Sequence, residues 1–322
     1  MYRLKFTGDC DEATFKAVCA KQDFWYHSYY FDNGWKLRGD YNIGENIKEY
    51  GFPNNMTGMK VLDIGTGGGW FAFYFEQQGA EVTTVDARGY CDFDVRGRYE
   101  YPPVESEKPK PDRIGPNGEP IYDSPVSGGF WIMRDLLKSK AKFVNARVYD
   151  VSPELFNGQT FDLVFMGTIL LHLRDPIGAL MAARSVCADR LIAVTPIMHQ
   201  ANGNAEPQMM LYIHGDNITW WYPNKTCYKH WFLGAGFASV DVERQTTLTA
   251  DKRIPHPDLP IDRNTTQLLQ IGDARVQKDL TSDTRDHEDS TEDSTGDMRL
   301  GKQIYQRIGN YLVRAGTRLK NK

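Results

Sequence analysis

Paired cysteines are missing from this chain. Its five, Cys10, Cys19, Cys91, Cys187 and Cys227, are odd in number, scattered, and without the close spacing of a metal site. That excludes a disulfide scaffold and a zinc module, and free thiols in a reducing cytoplasm are expected. Long apolar runs are missing too: nothing approaches the roughly 20 residues of a membrane span. Met1 to Cys10 also lacks the charged-then-apolar layout of a secretion signal. There is no excess of positive charge, with 38 Lys and Arg against 42 Asp and Glu and a formal net charge of −4. The chain therefore has no overall nucleic-acid signature, while a local basic patch stays open. With 322 residues, 41% of them hydrophobic, it can hold one large α/β domain with additions or two modest domains.

What the chain does have is concentrated at Val61-Leu62-Asp63-Ile64-Gly65-Thr66-Gly67-Gly68-Gly69-Trp70. Lys60 to Ile64 reads as a buried parallel strand. The glycines that follow let the backbone turn sharply and a ligand approach without Cβ atoms in the way. Trp70 to Gln78 reads as a helix closed by Gly79. A second strand, Glu81 to Val85, ends in Asp86, 21 positions after Gly65. That is where a carboxylate meets ribose hydroxyls in such folds. A dinucleotide fingerprint wants glycine at the sixth position of the loop, where this chain has Trp70. Asp63, just ahead of the loop, suits a cationic ligand better than a phosphate.

Elsewhere the pattern is uneven. Residues 24–41, with Trp25, Tyr26, His27, Tyr29, Tyr30, Phe31, Trp35 and Lys36 around Asn33-Gly34, read as an aromatic hairpin. It is either a hydrophobic cap on the core or a cover whose aromatics and cations lie over a ligand. Tyr41 to Tyr50 reads as a helix. Residues 89–128 are rich in Pro, Gly and charge, a long loop on the ligand side of the sheet. Strands are expected at Lys142–Tyr149, Phe161–Gly167, Arg190–Thr195 and Ala238–Glu243. Helices are expected at Trp131–Ser139, at Ile177–Val186 behind Asp175-Pro176, and at Lys225–Leu233; Ser152-Pro153 reads as a further helix start. Residues 246–297 thin out in apolar content and read as an acidic disordered linker. Met298 to Lys322 has seven Lys or Arg, no acid, and apolar residues at helical spacing. That makes a basic amphipathic helix, which either docks on the domain or meets RNA or an acidic surface.

Val-Leu-Asp-Ile-Gly-Thr-Gly-Gly-Gly resembles motif I of the class I S-adenosylmethionine (SAM) methyltransferases. Tyr26-His27-Ser28, Asp150-Val151-Ser152-Pro153-Glu154, Leu170-Leu171-His172-Leu173-Arg174-Asp175-Pro176 and Asn217 to Asn224 follow in one order. Together they resemble the branch related to tRNA wobble-uridine carboxymethyltransferases and tRNA mo5U methyltransferases, over roughly residues 24–243. The resemblance implies a Rossmann-like α/β fold, with a mostly parallel seven-stranded sheet over 59–245, an N-terminal cap over 1–58, and a helical tail.

It also implies SAM as cofactor, with Gly65, Gly67 and Gly68 at its methionine end, Asp63 near its amino group, Asp86 on the ribose, and Gly167 at the end of the fourth strand. Two positions depart from the branch. Leu171 stands where carboxymethyl-transferring members have tyrosine, which favours ordinary SAM. Arg147 stands where an acid usually meets adenine, so that contact falls to Val148 or Asp150. His172 is the first candidate for a general base, with His27 and Tyr26 second; a packing role for His172 is the alternative. Arg174, Trp35, Lys36 and Trp221 are candidate substrate contacts. Three readings follow: methyl transfer to a small molecule, modification of tRNA, or a non-catalytic module of the same fold.

Overall fold

The computed structural model describes residues 1–87, 92–95, 113–114, 120–121, 128–198, 206–211, 218–249, 251 and 264–274. Contacts divide the chain into Met1–Lys278 and Asp279–Lys322, and all of the described residues belong to the first unit. The expected basic helix and the acidic run before it lie outside them, as does most of the 89–128 segment.

The described elements begin with α1 (Glu12–Cys19) and the short strands β1 (Tyr29–Tyr30) and β2 (Lys36–Leu37). Next come β3 (Lys60–Ile64), α2 (Trp70–Gln77), β4 (Glu81–Asp86), β5 (Arg113–Ile114), β6 (Pro120–Ile121), α3 (Gly128–Leu137) and β7 (Lys142–Asn145). They are followed by β8 (Phe161–Gly167), α4 (Pro176–Ser185), β9 (Cys187–Pro196), β10 (Met209–Leu211) and β11 (Trp221–Pro223), and the chain closes on α5 (Lys225–Gly234), β12 (Val240–Thr249) and β13 (Asn264–Asp273). Seven strands form one sheet in the order β12-β13-β9-β8-β3-β4-β7. Five neighbours, β9-β8-β3-β4-β7, are parallel, β13 runs antiparallel beside β9, and β12 lies antiparallel to β13 at the edge. The expected fold class holds.

Parallel strands covered on both faces must be apolar along their length, and Val61 to Ile64 and Leu163 to Met166 are buried throughout. From β3 the chain moves to β4 and β7 on one side, and then to β8 and β9 on the other. The reversal opens a crevice between the carboxyl ends of β3 and β8, the place where such sheets bind ligands. α2 is buried on every side from Trp70 to Phe75, as a helix must be when another layer covers its outer face. That layer is the N-terminal segment. Tyr2 packs edge-on against Trp70 and Tyr74, and Phe52 meets Phe71, Phe75 and Phe165. Burying each such ring contributes roughly 1.5–3 kcal/mol.

Several expectations need correction. The linker expected from residue 246 is instead β12 and β13 as far as Asp273, paired from Val240↔Gly272 to Thr249↔Asn264. Composition averaged over 246–297 hid them. β13 lies inside the sheet, yet its inward side carries Gln267 beside Leu269, both fully buried. Tyr41–Tyr50 is not an α-helix but two 3-10 turns, Ile43–Glu45 and Ile47–Tyr50. Ser152 makes no cap: Pro153 precedes a single turn, Glu154–Phe156, stopped by Asn157 and Gly158 at positive φ. β7 ends at Asn145, and a further turn runs from Val148 to Asp150. Asp175 does cap α4, accepting the Gly178 N–H at 2.8 Å, with Pro176 at its first position. The hairpin at Asn33-Gly34 forms, but it pairs only Tyr29↔Leu37 and Tyr30↔Lys36.

Candidate active site

A cavity of about 360 Å³ occupies the crevice. That is within the range of small-molecule sites. Its floor is the loop after β3. Gly65 donates its N–H to Val85 at 2.8 Å and lies at φ 77°, where a side chain would strike Ile169 at 2.6 Å. Gly67, at φ 54°, faces open space with His27 Cε1 near by. Only glycine adopts these angles without strain while leaving that space clear.

Two of the carboxylates lining the cavity lie beside the glycine loop. Asp63, 1% exposed, accepts the Thr66 hydroxyl at 2.7 Å. Asp86 accepts the Gly67 N–H on one oxygen at 2.7 Å and the Ala87 N–H on the other at 2.8 Å. Burial pushes Asp63 up to about 7, with the nearby Asp86 charge adding to it. Burial likewise pushes Asp86 up to about 6, against the pull of its two N–H donors. No cation among the described residues pairs with either. Two buried acids left without a counter-charge suit a cationic ligand.

The opposite wall comes from the N-terminal segment and from β8. Tyr26 and His27 line the cavity together with Phe24. His27 is buried, its pKa pushed down to about 3 by burial, and its Nδ1 has no hydrogen-bond partner among the described residues. His172 enters from a 3-10 turn, Leu170–His172, at the carboxyl end of β8. Its Nδ1 lies 3.1 Å from the Ile218 carbonyl, which can only accept. A neutral ring so held carries its lone pair on Nε2, the arrangement of an oriented base. Just before this turn Thr168, a β-branched residue, sits at φ 56°. Its N–H bonds Val194 and its hydroxyl accepts the buried Gln267 amide at 2.8 Å. Such strain persists only where the surroundings impose it.

The expected site residues therefore divide. Asp63, Gly65, Gly67, Asp86, Val148, Gly167, Tyr26, His27 and His172 come together around the cavity. Gly68 stands behind the loop, its carbonyl accepting the Tyr29 hydroxyl. Asp150 is drawn out to Arg147, 3.7 Å away. Trp35 is packed against Phe6 and Phe15 in the N-terminal cluster, and Lys36 is exposed on β2. Trp221 donates to the Arg174 carbonyl, and the Arg174 guanidinium lies over Trp220; none of these four residues lines the cavity. Trp35, a large apolar ring, went to the nearest core, as the cap reading expects, while Tyr26 and His27 line the cavity.

Asp92, Phe93 and Asp94, the next described residues after Ala87, also line the cavity. Asp94 accepts the Tyr149 hydroxyl at 2.5 Å and the Arg174 N–H at 2.7 Å, and its carbonyl takes the Trp220 indole N–H. It thus ties together the segments following β4, β7 and β8. The only sequence signal for it was the placement of the 89–128 segment just past Asp86.

A doubly wound sheet whose glycine loop, spaced acid and cationic-ligand pocket coincide at the strand reversal defines a nucleoside-binding enzyme of the class I methyltransferase fold. A family model described as a methyltransferase domain matches residues 36–242. The N-terminal domain of EvdMO1, solved with SAH bound, superposes with a TM-score of 0.53 at 13% identity, covering 83% of this chain and 98% of that one. Magnesium protoporphyrin IX methyltransferase from Synechocystis PCC 6803 with bound SAH gives 0.40 at 14% identity, covering 68% and 75%. The 1,6-didemethyltoxoflavin-N1-methyltransferase of Burkholderia thailandensis gives 0.40 at 15% identity, covering 67% and 71%. No curated protein matches the sequence. The chain belongs to the methyltransferase-domain family, and it is a SAM-dependent methyltransferase. Among the described residues no helix is long and apolar enough to cross a membrane.

SAM fits the residues present: Asp63 and Asp86 are buried carboxylates at the cavity without a counter-cation among the described residues, the kind of group that a ligand carrying a sulfonium and an ammonium would meet. When bound, it supplies a methyl carbon already activated for in-line displacement. The chain supplies alignment and exclusion of water.

Proposed function

We propose that this enzyme methylates a small, uncharged acceptor built on an apolar ring, with His172 taking the proton from the attacking group. Asp63, Gly65, Gly67 and Asp86 hold the cofactor, as the resemblance to motif I implies. The observation that carries the reading is the lining of the rest of the cavity. Phe24, Tyr26, Tyr149 and Phe165 are among its lining residues, and the ring of His172 is oriented by the Ile218 carbonyl. Leu171, buried beside it, offers no polar group to a carboxylate on the cofactor, which supports methyl rather than carboxymethyl transfer.

An RNA acceptor gains nothing from these walls. Among the described lining residues, Asp63, Asp86, Asp92 and Asp94 stand against one arginine, Arg147, a balance that disfavours phosphates. The basic 298–322 segment that prompted the tRNA reading lies outside the described residues. The test is to incubate the protein with SAM and either a panel of phenols and aryl amines or unmodified tRNA, following methylated products by mass spectrometry. Methylation of a panel member, lost in His172→Gln, is the expected outcome. Methylation of tRNA with every small acceptor inert would overturn the reading.

A further inference from the structure

Tyr26 and His27 reach the cavity on a thin support. β1 and β2 have two residues each, and so short a ribbon does not stand alone in water. On one side the support is anchored by buried rings: Tyr29 packs against Phe73 and its hydroxyl bonds the glycine loop at Gly68. The other side is held by one acid far along the chain.

Asp251 directs all of its polar groups at this segment. One carboxylate oxygen accepts the Ser28 hydroxyl at 2.6 Å and the Tyr30 hydroxyl at 2.9 Å, and the other accepts Arg38 Nε–H at 2.9 Å. Its N–H donates to the Asp40 carbonyl at 2.8 Å, and its own carbonyl accepts from Arg38. Beside it, the end of β12 continues the seam. Asn42 N–H bonds the Thr249 carbonyl at 2.9 Å, and the Asn46 amide bonds the Thr247 carbonyl at 2.7 Å. Ser28 is fully buried and directly follows His27. Its Oγ also accepts the N–H of Gly39, where any Cβ would meet the His27 carbonyl at 2.5 Å. Displacing Ser28 therefore displaces the backbone that carries His27.

We propose that Asp251 is a positioning residue for the cofactor site: it latches the 25–41 segment so that Tyr26 and His27 stay against the glycine loop, and the rate of cofactor release depends on that latch. The inference rests on the cavity being the SAM site. The exposed Arg38 contact contributes little alone. The weight falls on the Ser28 and Tyr30 hydroxyls, which share one carboxylate oxygen. The aromatic anchor at Tyr29 remains, so loss of the latch frees one side of the cover without unfolding it.

The test uses the full chain and S-adenosylhomocysteine as probe, with release followed by stopped-flow displacement and affinity by calorimetry. In Asp251→Asn the amide keeps one acceptor oxygen and turns its NH2 toward either Arg38 or the two hydroxyls. That loss is enough for release to be about tenfold faster, with entry faster too and the dissociation constant rising by less than about tenfold. Leu180→Ala, in the core of α4, serves as a control for lost stability and leaves release unchanged. Ser28→Ala gives a smaller effect in the same direction, and the double variant Ser28→Ala/Asp251→Asn loses less than the sum of the two single variants, since they share the Ser28–Asp251 bond. Should Asp251→Asn not fold, Ser28→Ala carries the test. Release at the wild-type rate in a folded latch variant overturns the latch, whereas a wild-type protein that fails to bind the probe overturns the cofactor assignment beneath it.

Discussion

Binding of the cofactor should release protons. Asp63, at about 7, is half protonated at neutral pH, and Asp86, at about 6, is protonated in about one molecule in ten. A sulfonium and an ammonium are best met by both acids ionised, so association at pH 7 should expel about 0.6 proton per SAM. With the same values, affinity should fall about twentyfold from pH 8 to pH 6, most of it from Asp63. Calorimetry at pH 7 in phosphate and in Tris measures the proton count directly, because the two buffers differ in ionisation heat. Asp63→Asn should leave only the Asp86 limb, about a twofold loss over the same range. In the free protein both acids hold protons that the unfolded chain has already lost. Their contribution therefore favours folding below about pH 4 and is lost as pH rises through about 7, on the order of 4 kcal/mol for Asp63. Equal binding heats in the two buffers, or an affinity flat from pH 8 to pH 6, would refute the idea that these carboxylates await a cation.

Three other substitutions test separate parts of the site. Gly67→Ala should cost about 1 kcal/mol of stability, since φ there is 54° but nothing crowds the new methyl; calorimetry should show SAM binding weakened by at least about tenfold, because the methyl enters the cavity. Gly69→Ala should do the reverse. Its methyl would lie 2.6 Å from Phe130 and 2.8 Å from Phe73, lowering unfolding stability by about 2–4 kcal/mol in denaturant titration with little specific effect on affinity. His172→Gln should lower turnover of an accepted substrate by about 10²-fold or more while cofactor affinity stays within about threefold, as read by steady-state kinetics beside calorimetry.

What could be read in the sequence was what depends on a few consecutive residues. Lys60 to Asp86 declared strand, loop, helix and acid because each signal is local: a β-branched run, glycines at forced angles, a spaced carboxylate. Asp175-Pro176 declared its helix for the same reason. β13 stayed hidden because one of its neighbours, β9, lies far back along the chain, and its buried Gln267 gives it a polar reading. Asp94 stayed hidden similarly. Nothing near it announces that one carboxylate will gather Tyr149 and Arg174 from two other connections. Trp35 and Lys36 misled in the opposite way, since an aromatic-cationic pair looks the same whether it faces a ligand or a core.

The N-terminal segment has to be both wall and roof, and this constrains where it can move. Its rings are the partner that the outer face of α2 requires, and α2 follows directly on the glycine loop, so the aromatic side cannot lift without exposing Trp70 and Tyr74 to water. The side running from Ser28 to Arg38 is held by hydrogen bonds to Asp251 instead, which water can replace at far lower cost than it can replace ring packing. On the proposed latch, an opening that admits a cofactor past Tyr26 and His27 would begin at the Asp251 seam and turn about Tyr29. The two variants Asp251→Asn and Tyr29→Phe should then act differently. The first speeds entry and release together, while the second, removing the hydroxyl that bonds Gly68, disturbs the loop itself and weakens binding without speeding entry. Stopped-flow association and dissociation rates measured on both would separate hinge from latch, and identical changes in the two would show that the segment moves as one piece.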